Sequence, residues 1–207
     1  MNLSNLPASW QAPRLGGRHV ALEPLDLEHV GGLSLALEGD ELSRLWYTNV
    51  PKAADAGAWV RTALDKQQQG LEVPFAVRDA AGAVVGSTRF YDMDASIPKL
   101  SIGYTWYAPR VQRSGLNTEA KLLLLTHAFE TLQCASVYLE TSWFNHASRT
   151  AIARLGAKQD GILRNHRRHA DGSLRDTVMF SILGSEWPGV KSNLLHRLAQ
   201  GDRPHGQ

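Results

Sequence analysis

The sequence predicts an α/β fold, a mixed and mostly antiparallel sheet flanked by helices on both faces. Three observations predict it. Segments with apolar residues at helical spacing alternate with strand-like runs along most of the chain. Turn clusters at Asp79-Ala80-Ala81-Gly82 and at Asp171-Gly172 each join two strand-like runs into a hairpin. The strands meander instead of repeating a strict strand–helix unit, which favours a mixed sheet over an all-parallel one.

Taken in order, residues 1–17 hold two prolines and no periodicity, and read as an irregular lead-in. Val20-Ala21-Leu22 is a short first strand, which Pro24 ends because it cannot donate to a ladder. Asp26 is a capping residue for a helix through Val30, Leu33 and Leu37, weakened by Gly31-Gly32. Trp46 to Pro51 is an aromatic loop. A second helix spans Ala53 to Gln69, with Trp59, Val60, Ala63 and Leu64 on one face and Gly70 as its stop. Val73–Arg78 and Val84–Tyr91 form the first hairpin, and Leu100–Tyr107 is the fourth strand. A Leu-rich helix runs from Thr118 to Leu132. A strand at Ser136–Thr141 and a helix at Asn145–Leu155, stopped by Gly156, follow it. Ile162–Arg168 and Thr177–Leu183 make the last hairpin. Beyond a domain at 18–185, residues 186–207 carry a short helix opened by Pro188 and a polar tail.

Composition narrows the function classes. The chain of 207 residues fits one large domain, and 43% hydrophobic residues suffice for a sizeable core. Twenty-two basic and 20 acidic residues are interspersed, so the net charge of +2 gives no general electrostatic case for nucleic acid. The longest apolar run, Leu122 to Leu125, is far too short for a membrane span. A single cysteine, Cys134, excludes an intramolecular disulfide and suits a reducing cytoplasm. It sits beside an apolar strand, which makes it a poor nucleophile.

The most informative stretch is Val111-Gln112-Arg113-Ser114-Gly115-Leu116-Asn117-Thr118, between the fourth strand and the Leu-rich helix. A loop there aims backbone N–H groups and the positive end of a helix dipole at an anion. Gly115 allows close backbone approach, Arg113 adds charge, and Asn117 or Thr118 is positioned to cap the helix. No Gly-Lys-Ser/Thr follows, and only one glycine is present, so neither a P-loop nor a dinucleotide fingerprint fits. A pyrophosphate cradle and an ordinary capped loop both remain open at this point.

With that loop placed, the order of elements over roughly residues 18–185 resembles the GNAT superfamily of N-acetyltransferases. Gln112-Arg113-Ser114-Gly115-Leu116-Asn117 is similar to the family's Gln/Arg-x-x-Gly-x-Gly/Ala signature. Ile102-Gly103-Tyr104-Thr105-Trp106 is similar to the splayed fourth strand that holds pantetheine. Asn145-x-x-Ser148 with Ala151-Ile152-Ala153-Arg154-Leu155-Gly156-Ala157 resembles the branch typified by ribosomal-protein N-terminal acetyltransferases (the RimJ and RimL type), as does the Arg164-Asn165-His166-Arg167…Asp171-Gly172 hairpin. The resemblance implies a sheet splayed between strands four and five, acetyl-CoA as acyl donor, and direct attack by a primary amine in a ternary complex. By position, residues Gln112, Arg113, Ser114, Gly115, Leu116, Asn117 and Thr118 would hold the pyrophosphate. Tyr104, Thr105 and Trp106 would pair with the pantetheine arm, and Asn145 would orient it near the thioester. Trp46, Tyr47 and Tyr91 fall where the acceptor channel belongs.

The sequence also departs from the family. The glutamate that many members place two residues before the fourth-strand glycine is Ser101, and the tyrosine seven residues after the helix asparagine is Ile152. The last small residue of the loop signature is Asn117. Ser148, one turn beyond Asn145, is the remaining hydroxyl for the leaving thiolate, or an ordinary first-turn polar residue. Asp92, Asp94 and Glu41 are undistinguished base candidates. The missing pair keeps a non-catalytic acyl-CoA-binding module as the alternative. Arg164, Arg167 and Arg168 read first as a solvated hairpin, with an acidic substrate or RNA as the other readings. Of eight histidines only His166 and His169 lie close together. Three apart on a strand they face opposite sides, so no metal is expected. The acceptor is a protein N-terminus or a small amine, and a homodimer is compatible with the sequence.

Overall fold

The computed structural model describes residues 10–39 and 41–201. The ends of the expected lead-in and polar tail, including His205, lie outside them. Eight strands form one sheet: β1 (Leu15–Gly16), β2 (Val20–Pro24), β3 (Glu72–Asp79), β4 (Val84–Asp94), β5 (Lys99–Tyr107), β6 (Ser136–Ser142), β7 (Lys158–Arg168) and β8 (Leu174–Leu183). Their order is β1-β2-β3-β4-β5-β6-β8-β7, and every neighbouring pair is antiparallel except β5–β6. The helices are α1 (Val30–Ala36), α2 (Ala56–Gln68), α3 (Leu116–Thr126), α4 (His146–Leu155) and α5 (Trp187–Gly201). None of these is long and apolar enough to cross a membrane.

Local chemistry explains the elements. Asp26 accepts from the Glu28 N–H while the His29 ring bonds the Asp26 N–H, a capping box that starts a short 3-10 turn leading into α1. The Gly31-Gly32 pair costs helix propensity, but at Gly32 a Cβ would meet Val84 at 2.7 Å. That glycine is what lets α1 lie against β4. The two hairpins turn at Gly82 and Gly172, both at positive φ, and Gly156 at φ 106 stops α4 as expected. Buried Val, Leu, Ile and Phe side chains, among them Phe75, Phe90, Leu100, Ile102, Leu124, Leu125 and Ile182, join both sides of the sheet into one core. Each contributes roughly 1.5–3 kcal/mol on burial.

Three elements differ from the sequence reading. Leu15 and Gly16 pair with Leu22 and Ala21, so the lead-in already contributes an edge strand, and Trp10 is buried. The Leu-rich helix begins two residues early at Leu116 and ends in a π turn over His127–Thr131, where His127 stacks on Phe90. The C-terminal helix is 15 residues long, with Trp187 stacked on Phe129 of the π turn. The edge strand and the packing of Trp187 on Phe129 rest on tertiary contacts, which local periodicity does not show.

Two features of this frame shape the site. First, β5 and β6 pair only through Lys99↔Ser136, Leu100↔Val137 and Ser101↔Tyr138. From Ile102 onward the two strands part, which opens the expected splay. Its position between the expected strands four and five is unchanged; β1 merely shifts the count by one. Second, Ser87 pairs with Trp106 and Arg89 with Gly103, so Tyr104 and Thr105 together oppose the single residue Thr88. This is a β-bulge, with Tyr104 at φ 51, and it bends the strand where the gap begins.

Candidate active site

The splay, the start of α3 and the start of α4 enclose an open cleft of about 1420 Å³. One end of the cleft is the loop before α3. A 3-10 turn at Pro109–Val111 leads into it, and the Gln112 side chain donates to the Tyr107 carbonyl (3.1 Å), tying the loop to the end of β5. Arg113 takes the left-handed conformation at φ 60. Ser114 Oγ donates to the Val111 carbonyl (2.7 Å) and accepts from the Leu116 N–H (3.3 Å). The helix cap is therefore Gly115 with help from Ser114, not Asn117 or Thr118 as the sequence suggested. The first N–H to bond back is Glu119, to the Gly115 carbonyl at 2.9 Å. The amides before it precede the helical ladder and lie at the positive end of the dipole.

Behind this loop, the Glu119 carboxylate accepts from the N–H groups of Arg18, His19 and Val20. Those bonds bring His19 to Gly115, where a Cβ would lie 3.4 Å from the His19 ring and 3.6 Å from Leu198. Both are ordinary contacts. Gly115 is thus not required for its backbone angle (φ −66). Its lack of a side chain keeps the wall between the loop, His19 and α5 open.

The middle of the cleft runs along β5. Past Ser101 the edge that faces β6 has no sheet partner, which offers backbone groups to an extended ligand. From α3, Lys121 Nζ donates to Thr105 Oγ1 (2.9 Å), which is hydrogen-bonded to Thr88 Oγ1 (2.8 Å). Lys121 is 5% exposed, and burial pushes its amine down to about 7. The unfolded chain holds this proton up to about 10.4, whereas the folded chain releases it near 7. Across that window the unfolded state binds more protons, so this group makes stability rise with pH from about 7 towards 10. Lys121→Met is expected to raise the melting temperature at pH 7 and to flatten its rise towards pH 10. Melts of both proteins across that range check the sign. An unchanged slope would contradict it.

At the far end, Asn145 caps α4: its Oδ1 accepts from the Ser148 N–H at 3.0 Å. Asn145 and Ser148 line the same wall, together with Ile152. Tyr91 and Tyr104 pack edge to face (ring centroids 5.3 Å apart), which requires Gly103, where a Cβ would strike the Tyr91 ring at 2.7 Å. Burial pushes the Tyr91 hydroxyl above the usual tyrosine range. Among the described residues lining the cleft, Glu140 of β6 is the one carboxylate, whereas Arg113, Lys121, Arg154, Arg167, Arg175 and Arg197 are basic. Arg167 Nη2 stands 3.1 Å from Glu140 Oε1, and Arg175 Nη2 3.9 Å.

The expected site residues converge with few exceptions. Tyr104, Thr105, Trp106, Gln112, Arg113, Ser114, Gly115, Asn117, Thr118, Asn145, Ser148, Tyr47 and Tyr91 all line the cleft. Leu116 does not: its side chain is buried in the core, leaving only its amide at the loop. Trp46 does not either. It is 46% exposed and packs on Tyr47, Phe144 and His169, so it props Tyr47 from behind. The base candidates Asp92, Asp94 and Glu41 lie away from the cleft, and Asp94 is occupied by Ser96 and the Ile97 N–H. Cys134 is buried, its thiol pushed up to about 11, which removes it as a nucleophile. The residues the sequence reading missed are Glu140, Arg175 and the α5 side chains Arg197 and Leu198. Nothing local to Glu140 in the sequence says that its strand borders a gap.

Residues 19–158 match the model of the acetyltransferase (GNAT) domain family. The chain belongs to that family and is an N-acetyltransferase of the GNAT type. It is 28% identical over 176 residues to YdaF of Bacillus subtilis (strain 168), provisionally named a ribosomal N-acetyltransferase, covering 82% of this chain and 92% of that one. A GCN5-related N-acetyltransferase from Brucella melitensis superposes with a TM-score of 0.85 at 30% identity, covering 95% of this chain and 90% of its own. The RimJ protein of Mycobacterium smegmatis, solved with CoA-disulfide, shares the fold (TM-score 0.76, 19% identity, covering 91% and 96%). The family uses acetyl-CoA as its acetyl donor.

Proposed function

We propose that this protein transfers acetyl from acetyl-CoA to a primary amine by direct attack within a ternary complex. The observation that carries the reading is the convergence of the open β5 edge, the first amides of α3 and Asn145 on one cleft, whose charged lining is basic apart from Glu140. CoA fits that wall: an anionic pyrophosphate suits the helix start and Arg113, and an amide-bearing arm suits an unpaired strand edge. Bound there, acetyl-CoA supplies the acetyl group as a reactive thioester.

The chain's own residues then have separable tasks. The first-turn amides of α3 and the Gln112–Thr118 loop hold the phosphates. The backbone of Tyr104 to Trp106 aligns the arm, and an N–H in this bent strand polarises the thioester carbonyl. Asn145, with its Oδ1 engaged in the cap, offers Nδ2 to a carbonyl of the arm. Glu140 accepts the proton that the amine must lose, directly or through one water, and Ser148 hydrogen-bonds the departing sulfur. Tyr47 and Tyr91 border the acceptor's approach. A buried thiol of raised pKa at Cys134 supports direct transfer over a covalent enzyme intermediate. One cysteine, with no partner in the chain, supports a cytoplasmic setting.

Peptide N-termini are the favoured acceptors. An α-amine has a pKa of about 7.7–8.0 and a lysine amine about 10.4, so a carboxylate strips the first far more readily. Thiol release from acetyl-CoA, followed with a panel of amines, tests the activity. Competition between a peptide with a free N-terminus and a blocked one with an internal lysine tests the preference. At pH 7 the free N-terminus is expected to be acetylated first. Preferential lysine acetylation would contradict the acceptor assignment, and no thiol release with any amine would contradict the reaction.

A further inference from the structure

One part of the cleft carries more charge than acetyl transfer to a simple amine needs. Arg167 and Arg175 are direct cross-strand partners on β7 and β8. Like charges placed opposite one another destabilise a sheet. The arrangement is nevertheless built with care. Between the pairs Leu163↔Thr177 and Arg167↔Arg175, three residues of β7 face the single residue Asp176. Asp176 fastens this bulge by accepting from Arg164 Nε (2.6 Å) and from the Asn165 N–H (2.8 Å), with Asn165 at φ 51. The bulge returns Arg167 to register beside Arg175, and both side chains line the cleft.

The two guanidiniums are under-supplied with acceptors. Glu140 is the carboxylate they share: Arg167 Nη2 donates to it at 3.2 Å, whereas Arg175 Nη2 only approaches it at 3.9 Å. Arg175 is only 9% exposed, yet its Nε has no hydrogen-bond partner. Burial holds Arg175 below the usual guanidinium range despite Glu140 beside it, with Arg167 adding repulsion. Two positive charges against one negative leave this end of the cleft one charge short of neutral.

We infer that Arg167 and Arg175 form a subsite for an anionic group on the acceptor, so that the preferred amine carries a carboxylate close to its nitrogen. This rests on the proposed acetyl transfer, because it places the carboxylate beside Glu140, where the amine gives up its proton. A planar carboxylate matches the guanidinium fork of Arg167, which keeps open surface beside Arg175. It also neutralises the like-charge pair. Arg167, held by Glu140 on one side and partly open to the cleft on the other, is the half of the subsite that an incoming ligand reaches first.

Matched acceptors test the subsite: the peptide Glu-Ala-Ala-Ala as its C-terminal amide against Gln-Ala-Ala-Ala amide, and glutamate α-amide against glutamine α-amide. The first pair presents the carboxylate on a peptide N-terminus, the second on a free small amine. Binding to the CoA-loaded protein by calorimetry is read beside thiol release from acetyl-CoA. The acidic member of at least one pair is expected to bind and react about tenfold or more better than its amide twin. Whichever pair shows the larger ratio identifies the source of the acceptor. In Arg167→Gln that ratio is expected to fall towards one. Arg175→Gln should do the same, and Arg167→Gln carries the test if the buried variant fails to fold. Equal binding of acidic and amide acceptors, or a ratio that survives Arg167→Gln, overturns the subsite while leaving acetyl transfer intact. Selective binding of the acidic probe with no thiol release supports the subsite and overturns acetyl transfer.

Discussion

Glu140→Gln is expected to lower kcat by about 10²–10⁴-fold at neutral pH, the range over which a positioned general base acts. Among the described residues it is the one carboxylate lining the cleft, and glutamine keeps its size while removing its ability to take a proton. Glutamine still offers one oxygen to Arg167, so folding should survive with a modest loss of stability. The pH profile separates a base from a structural anchor. If Glu140 takes the amine proton, the variant's rate should climb between pH 6.5 and 9 as a peptide α-amine (pKa about 7.7–8.0) deprotonates by itself. A purely structural role would lower the rate by the same factor at every pH. Unchanged turnover would remove Glu140 from the chemistry.

Asn145→Asp should lower turnover by about 10–100-fold with little change in melting temperature. The carboxylate keeps the cap to the Ser148 N–H, and its charge suits the start of α4. What it loses is Nδ2, the donor proposed for the arm, whose removal should cost about 1–3 kcal/mol of transition-state stabilisation. Asn145→Ala loses both cap and donor, with about 0.5–2 kcal/mol of stability gone as well. Steady-state rates and melts of the two variants resolve the roles. If Asp restores activity lost in Ala, Asn145 acts as a cap and the proposed hydrogen bond is wrong.

Much of this was legible in the sequence because it is written locally. The alternation of β3 and β4, the Asp171-Gly172 turn and the Gly156 stop each follow from a few neighbouring residues. The loop before α3 is likewise a contiguous run, so its place between strand and helix was readable, while the roles of Gln112 to Thr118 came from the family resemblance. The parts that were not legible depend on strands far apart in the chain. Glu140 borders the cleft because β5 and β6 separate after Ser101, near the bulge opposite Thr88. Arg175 matters because a three-residue bulge on β7 brings Arg167 beside it. Trp46 misled for a related reason: an aromatic loop residue was identifiable, but which face of the loop met the cleft was decided by Phe144 and His169. Ser101 and Ile152, where the family's usual glutamate and tyrosine are absent, prompted the non-catalytic alternative. Under the proposed function, Glu140 fills that place with a carboxylate from the neighbouring strand.

In the proposed function CoA lies along β5 with its phosphates at the start of α3. Calorimetric titration of CoA into the wild-type protein and Gly115→Val tests it most directly. A Cβ at Gly115 already lies in contact with His19 and Leu198, so the γ-carbons of valine must push into the wall of the cleft beside the loop amides. Clear binding to the wild type is expected, with an affinity weaker on the order of tenfold or more in the folded variant. Equal affinities in two folded proteins, or no CoA binding by the wild type, would contradict it.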